Sequence, residues 1–243
     1  MRRIRIYTEQ ALETERTVEL EPGPSRHLVR VLRQRKGYPL VLFNGDGHEY
    51  FGTITATGPG DHCSVAIERR IEVDVESPLS IDLVQAVARG DRMDWCIRKA
   101  CELGVTGIRP VYTERTEVRL EGKRADKRQR HWQQVAVAAC EQSGRVRVPP
   151  IEAPVKLTEL NWPPGRRLHL DPLAETALSR IEPPDQDGFI LVIGPEGGLT
   201  EQEMSWLERQ GSTGTRLGPR VLRTETAGPA AIAALQTVLG DWR

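Results

Sequence analysis

The chain has 243 residues, with 34 Lys+Arg against 34 Asp+Glu, 38% hydrophobic and 28% charged residues, a balance that excludes collagen-like and disordered classes. No run approaches the roughly 20 apolar residues of a membrane helix, and the arginine-bearing start Met1 to Ile6 lacks the apolar stretch of a secretory signal, so a cytoplasmic protein is expected. Overall neutrality argues against a protein that coats nucleic acid through its global field and directs attention to local basic faces.

In chain order, residues 1 to about 72 carry short β-like runs at Pro39 to Phe43, Glu49 to Thr55 and Cys63 to Ile67. Asn44-Gly45-Asp46-Gly47 and Gly58-Pro59-Gly60 separate them as hairpin-turn signals. With one short helix near Pro24 to Arg33, this pattern predicts a small β-barrel domain over residues 1–72. Its basic residues cluster at Arg2, Arg3 and Arg5 and again at Arg26, His27, Arg30, Arg33, Arg35 and Lys36, where no acid intervenes.

Residues 73–243 form the second expected domain. From about residue 78, apolar strands alternate with longer amphipathic segments, the mark of a parallel sheet covered by helices. The strands predicted are Ser80 to Ala88, Gly107 to Tyr112, Arg167 to Leu170, Phe189 to Ile193 and Thr213 to Leu217. Helices are predicted over Asp91 to Leu103, stopping at Gly104, and over Lys127 to Gln142. The cluster Lys123, Arg124, Lys127, Arg128 and Arg130, diluted by Glu121 and Asp126, reads as a solvated helix face. Thr200-Glu-Gln-Glu203 reads as a capping box that opens another helix. The small-sided apolar run Ala227 to Leu239 demands burial on several sides, which a subunit interface would supply.

Phosphate-loop, dinucleotide, nucleophile-elbow and zinc-protease motifs are absent, and Cys63, Cys96, Cys101 and Cys140 show no metal spacing; no metal is expected. The informative runs are two. Phe189 to Thr200 is a strand ending in Gly194-Pro-Glu-Gly-Gly198 before a capped helix, and ligands prefer that end of a parallel strand. Glycines let a backbone approach a ligand, although a tight strand-to-helix turn would also account for them. Leu217 to Gly228 follows another strand and packs Arg220, Arg223, Glu225 and Thr226 around Val221 and Leu222, as a pocket wall would; a solvated loop is the alternative. Glu141 to Arg145, after the long helix, is a third contributor or an ordinary helix exit.

At these residues the chain resembles the small-subunit ribosomal RNA methyltransferases that make N3-methyluridine, within the SPOUT superfamily of knotted methyltransferases. The resemblance covers nearly the whole chain and rests on Ile193 to Leu199 together with Leu217 to Ala227. Arg26 to Arg33, Asp94 to Val105, Glu114-Arg115 and Glu141 to Arg145 support it. It implies an N-terminal PUA-like β-barrel that helps hold RNA, then an α/β domain with a largely parallel sheet and a deep C-terminal trefoil knot. It also implies S-adenosylmethionine in the knot and a homodimer joined there, acting on small-subunit ribosomal RNA or an assembled 30S subunit.

Carried over, the cofactor residues would be Leu170, Ile193, Gly194, Pro195, Gly197, Gly198, Leu217, Gly218, Arg220, Val221, Leu222, Thr226 and Ala227. Glu225 would be the base that removes the uracil N3 proton, with Glu196 and Glu141 as rivals. Arg223 and Arg145 would stabilise charge on the carbonyl oxygens. Arg220 or Arg223 would face the cofactor carboxylate or the RNA. The RNA face would comprise Arg2, Arg3, Arg5, Arg26, His27, Arg30 and Arg33, extended by Arg89 and Arg92. Thr224 falls where variation is expected. A non-catalytic RNA-binding scaffold and a knotted enzyme acting on a 2′-hydroxyl or a tRNA base are the competing readings.

Overall fold

The computed structural model describes residues 3–184 and 187–242, so Arg2 of the expected RNA face lies outside the described residues. The chain divides into two compact units, one of residues 1–76 with 140–148 and one of residues 77–139 with 149–243. The expected division at 72/73 thus moves to 76/77, and residues 140–148 join the N-terminal unit. The reason is local: Cys140 and Val146 pack on Phe43 in a small apolar cluster, and Glu76 accepts from the amides of Val146 and Arg147, both at 3.0 Å.

The N-terminal unit is a mixed sheet of β1 (Ile4–Tyr7), β2 (Thr17–Glu19), β3 (Pro39–Phe43), β4 (His48–Gly58) and β5 (His62–Glu72), ordered β1-β3-β4-β5-β2. Only β1 and β3 run parallel. Alternation places Ile6, Leu40, Leu42, Tyr50, Ile54, Val65 and Ile67 in its core. Side chains bridge the two ends of the sheet: Gln10 Nε2 donates to the Glu19 carbonyl at 2.7 Å and Thr8 Oγ1 to the Glu21 carboxylate. The helix expected near Pro24 to Arg33 is α1 (Pro22–Arg26) continued by a π-helical turn over His27–Val31.

The α/β unit has a six-stranded sheet, ordered β11-β9-β10-β6-β7-β8, in which every strand pair is parallel. Its strands are β6 (Ile81–Ala86), β7 (Gly107–Tyr112), β8 (Val155–Lys156), β9 (Arg166–Leu170), β10 (Phe189–Ile193) and β11 (Thr213–Thr215). The helices are α2 (Asp91–Glu102), α3 (Lys123–Ser143, whose residues from Cys140 on belong to the N-terminal unit), α4 (Glu201–Arg209) and α5 (Thr224–Leu239). β10 is central and buried at all five positions, as a continuous apolar run in a covered parallel sheet should be. Two helices begin earlier than the sequence pattern predicts. α3 starts at Lys123, where Gly122 takes a left-handed turn, and α5 starts at Thr224, with Arg223 as N-cap. Both extra turns are polar, so apolar periodicity does not register them.

Candidate functional site

A cavity of about 300 Å³ opens at the carboxyl ends of β9, β10 and β11. Ile193, the last residue of β10, leads into Gly194-Pro-Glu-Gly-Gly198, and the chain reverses there through a Gly198 amide donating to the Pro195 carbonyl at 2.9 Å. Gly194 approaches its neighbours so closely that a Cβ would stand 3.0 Å from the Leu199 amide nitrogen, while Gly198 needs φ +71°. Both glycines are therefore required by the backbone before any ligand is considered. The expected capping box is present: Glu203 N donates to Thr200 Oγ1 at 3.2 Å and Thr200 N to Glu203 Oε2 at 2.9 Å.

Glu203 does a second job that the motif alone does not reveal. Its other oxygen accepts the Glu114 amide at 2.8 Å, and the adjacent Arg115 donates from Nη1 to the Gly197 carbonyl at 2.8 Å. The loop after β7 is thus fastened once to the glycine loop and once to the first turn of α4. On the opposite side, buried Thr224 donates from Oγ1 to the Gly194 carbonyl at 2.6 Å and accepts from Gln85 Nε2 at 2.9 Å. Gln85 is itself buried at the end of β6 and accepts from Cys96 Sγ at 3.4 Å. Thr224, expected to be a variable position, is the tie between the two pocket loops. Local sequence could not reveal it, because its partners lie 30 and 139 residues away.

Of the expected cofactor residues, the structure brings Leu170, Ile193, Gly194, Pro195, Gly198, Leu217, Gly218, Arg220, Val221, Leu222 and Ala227 to the cavity wall. Gly197 and Thr226 are not among the lining residues; Gly197 packs instead against the Arg115 side chain, 3.3 Å from where its Cβ would be. Sequence reasoning missed Asp171, Leu173, Glu196 as a wall residue, Leu199, Met204 and Thr215. Leu173 and Val221 stand at the cavity 91% and 80% exposed, two apolar side chains with little to cover them. Neither Arg220 nor Arg223 has an ion-pair partner among the described residues, and both are exposed.

The carboxylates form a graded set. Arg92 Nη1 lies 3.1 Å from Glu196 Oε1 and its Nε 3.9 Å from Glu225 Oε1, so one guanidinium serves two acids. Glu225 is 13% exposed, and its second oxygen, Oε2, is buried without a hydrogen-bond partner. Such an orphaned acceptor is uncommon and costs stability unless something donates to it. Burial, and then the Glu225 charge, pushes the Cys96 thiol up to about 12, which removes it as a thiolate nucleophile. Burial holds the His169 imidazole below its ordinary value; its Nδ1 is 3.0 Å from Ser212 Oγ.

The remaining expected residues are placed differently. Arg145 belongs to the N-terminal unit, is 6% exposed, and reaches Glu76 Oε2 from Nε at 2.9 Å and from Nη2 at 2.7 Å, so its guanidinium is already committed. Burial raises the Glu141 carboxyl above its usual range against the opposing pull of the Tyr7 amide, His27 and Arg5. Arg5 is no surface cation: its side chain is 7% exposed, paired with Glu49 at 2.8 Å, and donates to the carbonyls of Cys140 at 2.6 Å and Arg145 at 2.9 Å. Arg26 and Arg30 remain exposed but share Asp61 at 3.6 and 2.5 Å. Arg3 lies over the Phe51 ring at 5.2 Å, Arg33 is exposed in a left-handed conformation, and His27 is half-buried in the π turn. Arg89 and Arg92 sit by the glycine loop, the Arg89 amide 3.4 Å from Glu196 Oε1 and its guanidinium 3.7 Å from Glu117.

A parallel α/β unit with a glycine-built pocket at its strand ends, in one chain with a small β unit, defines a two-unit protein with a small-molecule site of the α/β strand-end class. Residues 75–236 match the RNA methyltransferase domain model and residues 25–68 the RNA methyltransferase PUA domain model. The chain is 30% identical over 241 residues to the ribosomal RNA small subunit methyltransferase E of Buchnera aphidicola, covering 98% of this chain and 97% of that one. The Bacillus subtilis protein of the same name is also 30% identical, with 94% and 93% covered. A crystal structure of the Neisseria gonorrhoeae ribosomal RNA small subunit methyltransferase E bound to S-adenosyl methionine superposes with TM-score 0.91 at 38% identity, over the full length of both chains. The chain belongs to the ribosomal RNA small subunit methyltransferase E family.

Proposed function

We propose that this chain transfers a methyl group from S-adenosylmethionine to N3 of a uridine in 16S ribosomal RNA, presented free or in an assembled 30S subunit. The observation that carries the reading is the strand-end pocket, with its two loops tied through Thr224, in a chain of this family. The residues fit the cofactor. Leu170, Ile193, Leu217, Val221, Leu222 and Ala227 offer apolar surface to an adenosine, and the glycine loop offers backbone. Arg220 suits a carboxylate, whereas Asp171 and Glu196 suit the cationic groups. A cavity of about 300 Å³ is at the lower end for small-molecule sites, in keeping with a ligand that fills it.

Bound there, the cofactor supplies an electrophilic methyl group on a sulfonium. The chain's own residues would position the acceptor ring and remove its proton. Glu225 is assigned as the base: it stands between the pocket-lining Thr224 and Ala227, and its Oε2, buried without a hydrogen-bond partner, would accept the weakly acidic uracil N3–H once substrate binding uncovers it. Arg92, beside its other oxygen, holds the carboxylate in place. Arg223, exposed at the N-cap of α5, is assigned to charge developing on the uracil carbonyl oxygens; Arg145 is not, since Glu76 holds it. No metal has a role in this scheme.

The C-terminal part is assigned the deep trefoil knot, and the active form is assigned as a homodimer joined through it. Trp95 on α2 and Val238 on α5, each 39% exposed, are large apolar side chains that a second copy would cover. A cytoplasmic location accords with an rRNA substrate; among the described residues no helix is long and apolar enough to cross a membrane. The test is to incubate the protein with labelled S-adenosylmethionine and unmodified small subunits, then digest the RNA to nucleosides. N3-methyluridine is the expected product. A different modified nucleoside would move the substrate, and no incorporation would overturn the reading.

A further inference from the structure

The N-terminal half of α3 is charged unlike that of the other helices of the α/β unit. α2 and α4 place acids in the first turn and a base in the last, Asp91 and Asp94 against Lys99, and Glu201 and Glu203 against Arg209, as the helix dipole favours; α5 likewise opens with Glu225. α3 inverts this: Lys123, Arg124, Lys127, Arg128 and Arg130 crowd its first two turns, Asp126 is the one acid there, and the last turn has no base. Lys123 with Lys127, and Arg124 with Arg128, are like charges at i,i+4, which repel. None of the five is ion-paired among the described residues, unlike Arg5, Arg26, Arg30 and Arg92. Local rules broken without compensation in the fold mark a surface kept for something outside it.

The arrangement has a direction. At about 100° per residue, Lys123, Lys127 and Arg130 fall within a sector of about 60°, on the side opposite buried Trp132, Ala136 and Ala139. All three cations are exposed. They span about 10 Å along the axis, comparable to the rise of about three stacked nucleotides of one strand.

We propose that this stripe is a docking surface for the RNA backbone, carried by the α/β unit itself, with Lys123, Lys127 and Arg130 on successive phosphates of the substrate strand. The proposal takes the polyanion's identity from the rRNA reading above. It gives the α/β unit its own electrostatic hold on RNA, separate from the N-terminal unit.

The test uses the full chain with Lys123→Gln, Lys127→Gln and Arg130→Gln combined, and 16S rRNA transcribed in vitro as the probe. Affinity is measured by filter binding over a range of salt, with S-adenosylmethionine calorimetry as the check of folding. The expected result is at least a tenfold loss of RNA affinity at low salt and a log–log salt slope shallower by about 2, since each phosphate neutralised on a single strand accounts for roughly 0.7 of slope, with cofactor affinity unchanged. An unchanged affinity and slope would overturn the proposal while leaving the methyltransferase reading intact. If wild-type protein methylates no uridine N3 yet the variant still loses RNA affinity and slope, the surface stands and the substrate reading falls. Loss confined to assembled subunits, with naked rRNA bound normally, would make the partner a ribosomal protein and overturn the RNA assignment.

Discussion

Each unit pairs some of its arginines internally and leaves others open, and the two differ in which of the expected ligand-facing cations are taken up. In the N-terminal unit, where the sequence is conspicuously basic, several cations expected to meet RNA are paired within the protein: Arg5 bonds Glu49 and the carbonyls of Cys140 and Arg145, Arg26 and Arg30 share Asp61 while remaining exposed, and Arg145 is locked to Glu76. In the α/β unit Arg89, Arg92 and Arg109 are paired, whereas Arg220 on the pocket wall, Arg223 and the α3 cations have no ion-pair partner among the described residues, and the pocket itself is built from glycine backbone and apolar strand ends. A run of charge in sequence therefore does not identify a ligand surface. What the fold adds is which charges and acceptors it answers internally and which, like Glu225 Oε2, it leaves without a partner.

Four substitutions sharpen that contrast. Arg5→Ala removes one partner of a buried pair and strips three carbonyls of their donor, so it should destabilise the N-terminal unit by about 3 kcal/mol in denaturant melts while leaving the salt slope of RNA binding unchanged. A shallower slope with no stability loss would return Arg5 to the RNA face. Glu225→Gln should slow methyl transfer by about 100-fold, equivalent to about 2.7 kcal/mol, with cofactor affinity intact in calorimetry; full activity would remove Glu225 from the mechanism. Thr224→Ala leaves Gln85 Nε2 and the Gly194 carbonyl short of a partner and should cost about 2 kcal/mol of stability with weaker cofactor binding. Thr224→Ser should restore both, and its failure to do so would show that the methyl group rather than the hydroxyl matters.

The smallest effect is a pH dependence. Because burial depresses the His169 value, the unfolded chain takes up a proton near pH 6.5 that the folded chain refuses. The stability this site contributes is present above that pH and is lost as pH falls below it. Between pH 7 and 5.5, thermal melts of wild-type protein should lose under about 1 kcal/mol more than those of His169→Gln. Parallel pH profiles would show that His169 takes up its proton as readily in the fold.

The fold class was readable because period and punctuation are local properties. β7 and β10 occupy Gly107 to Tyr112 and Phe189 to Ile193 as their apolar runs predict, and the capping box at Thr200 opens α4 where the motif places it. The strands β1, β2 and β8 are short and have little alternation to detect. The glycine loop and the wall from Leu217 to Ala227 were marked by their place after predicted strands, while the residues alone left a tight turn and a solvated loop open and the cofactor role came from the resemblance. Side-chain pairing was not legible, because partners are remote in sequence. Arg5 and Glu49 are 44 residues apart, Arg145 and Glu76 69, Gln85 and Thr224 139. The same remoteness hid the second role of Glu203, whose capping motif was plain while its bond to Glu114, 89 residues earlier, was not.

The central claim, that the strand-end pocket of the α/β unit holds the cofactor, is tested most directly by calorimetry of S-adenosylmethionine with wild-type protein and with Gly194→Val. A valine there would drive its side chain toward Leu199, whose amide nitrogen is already 3.0 Å from the Cβ position, and so into the loop that forms the pocket floor. One site per chain in the wild type, with binding lost in a variant that keeps its circular dichroism, is the predicted result. Unchanged binding in that variant, or no binding to the wild type, would contradict the claim.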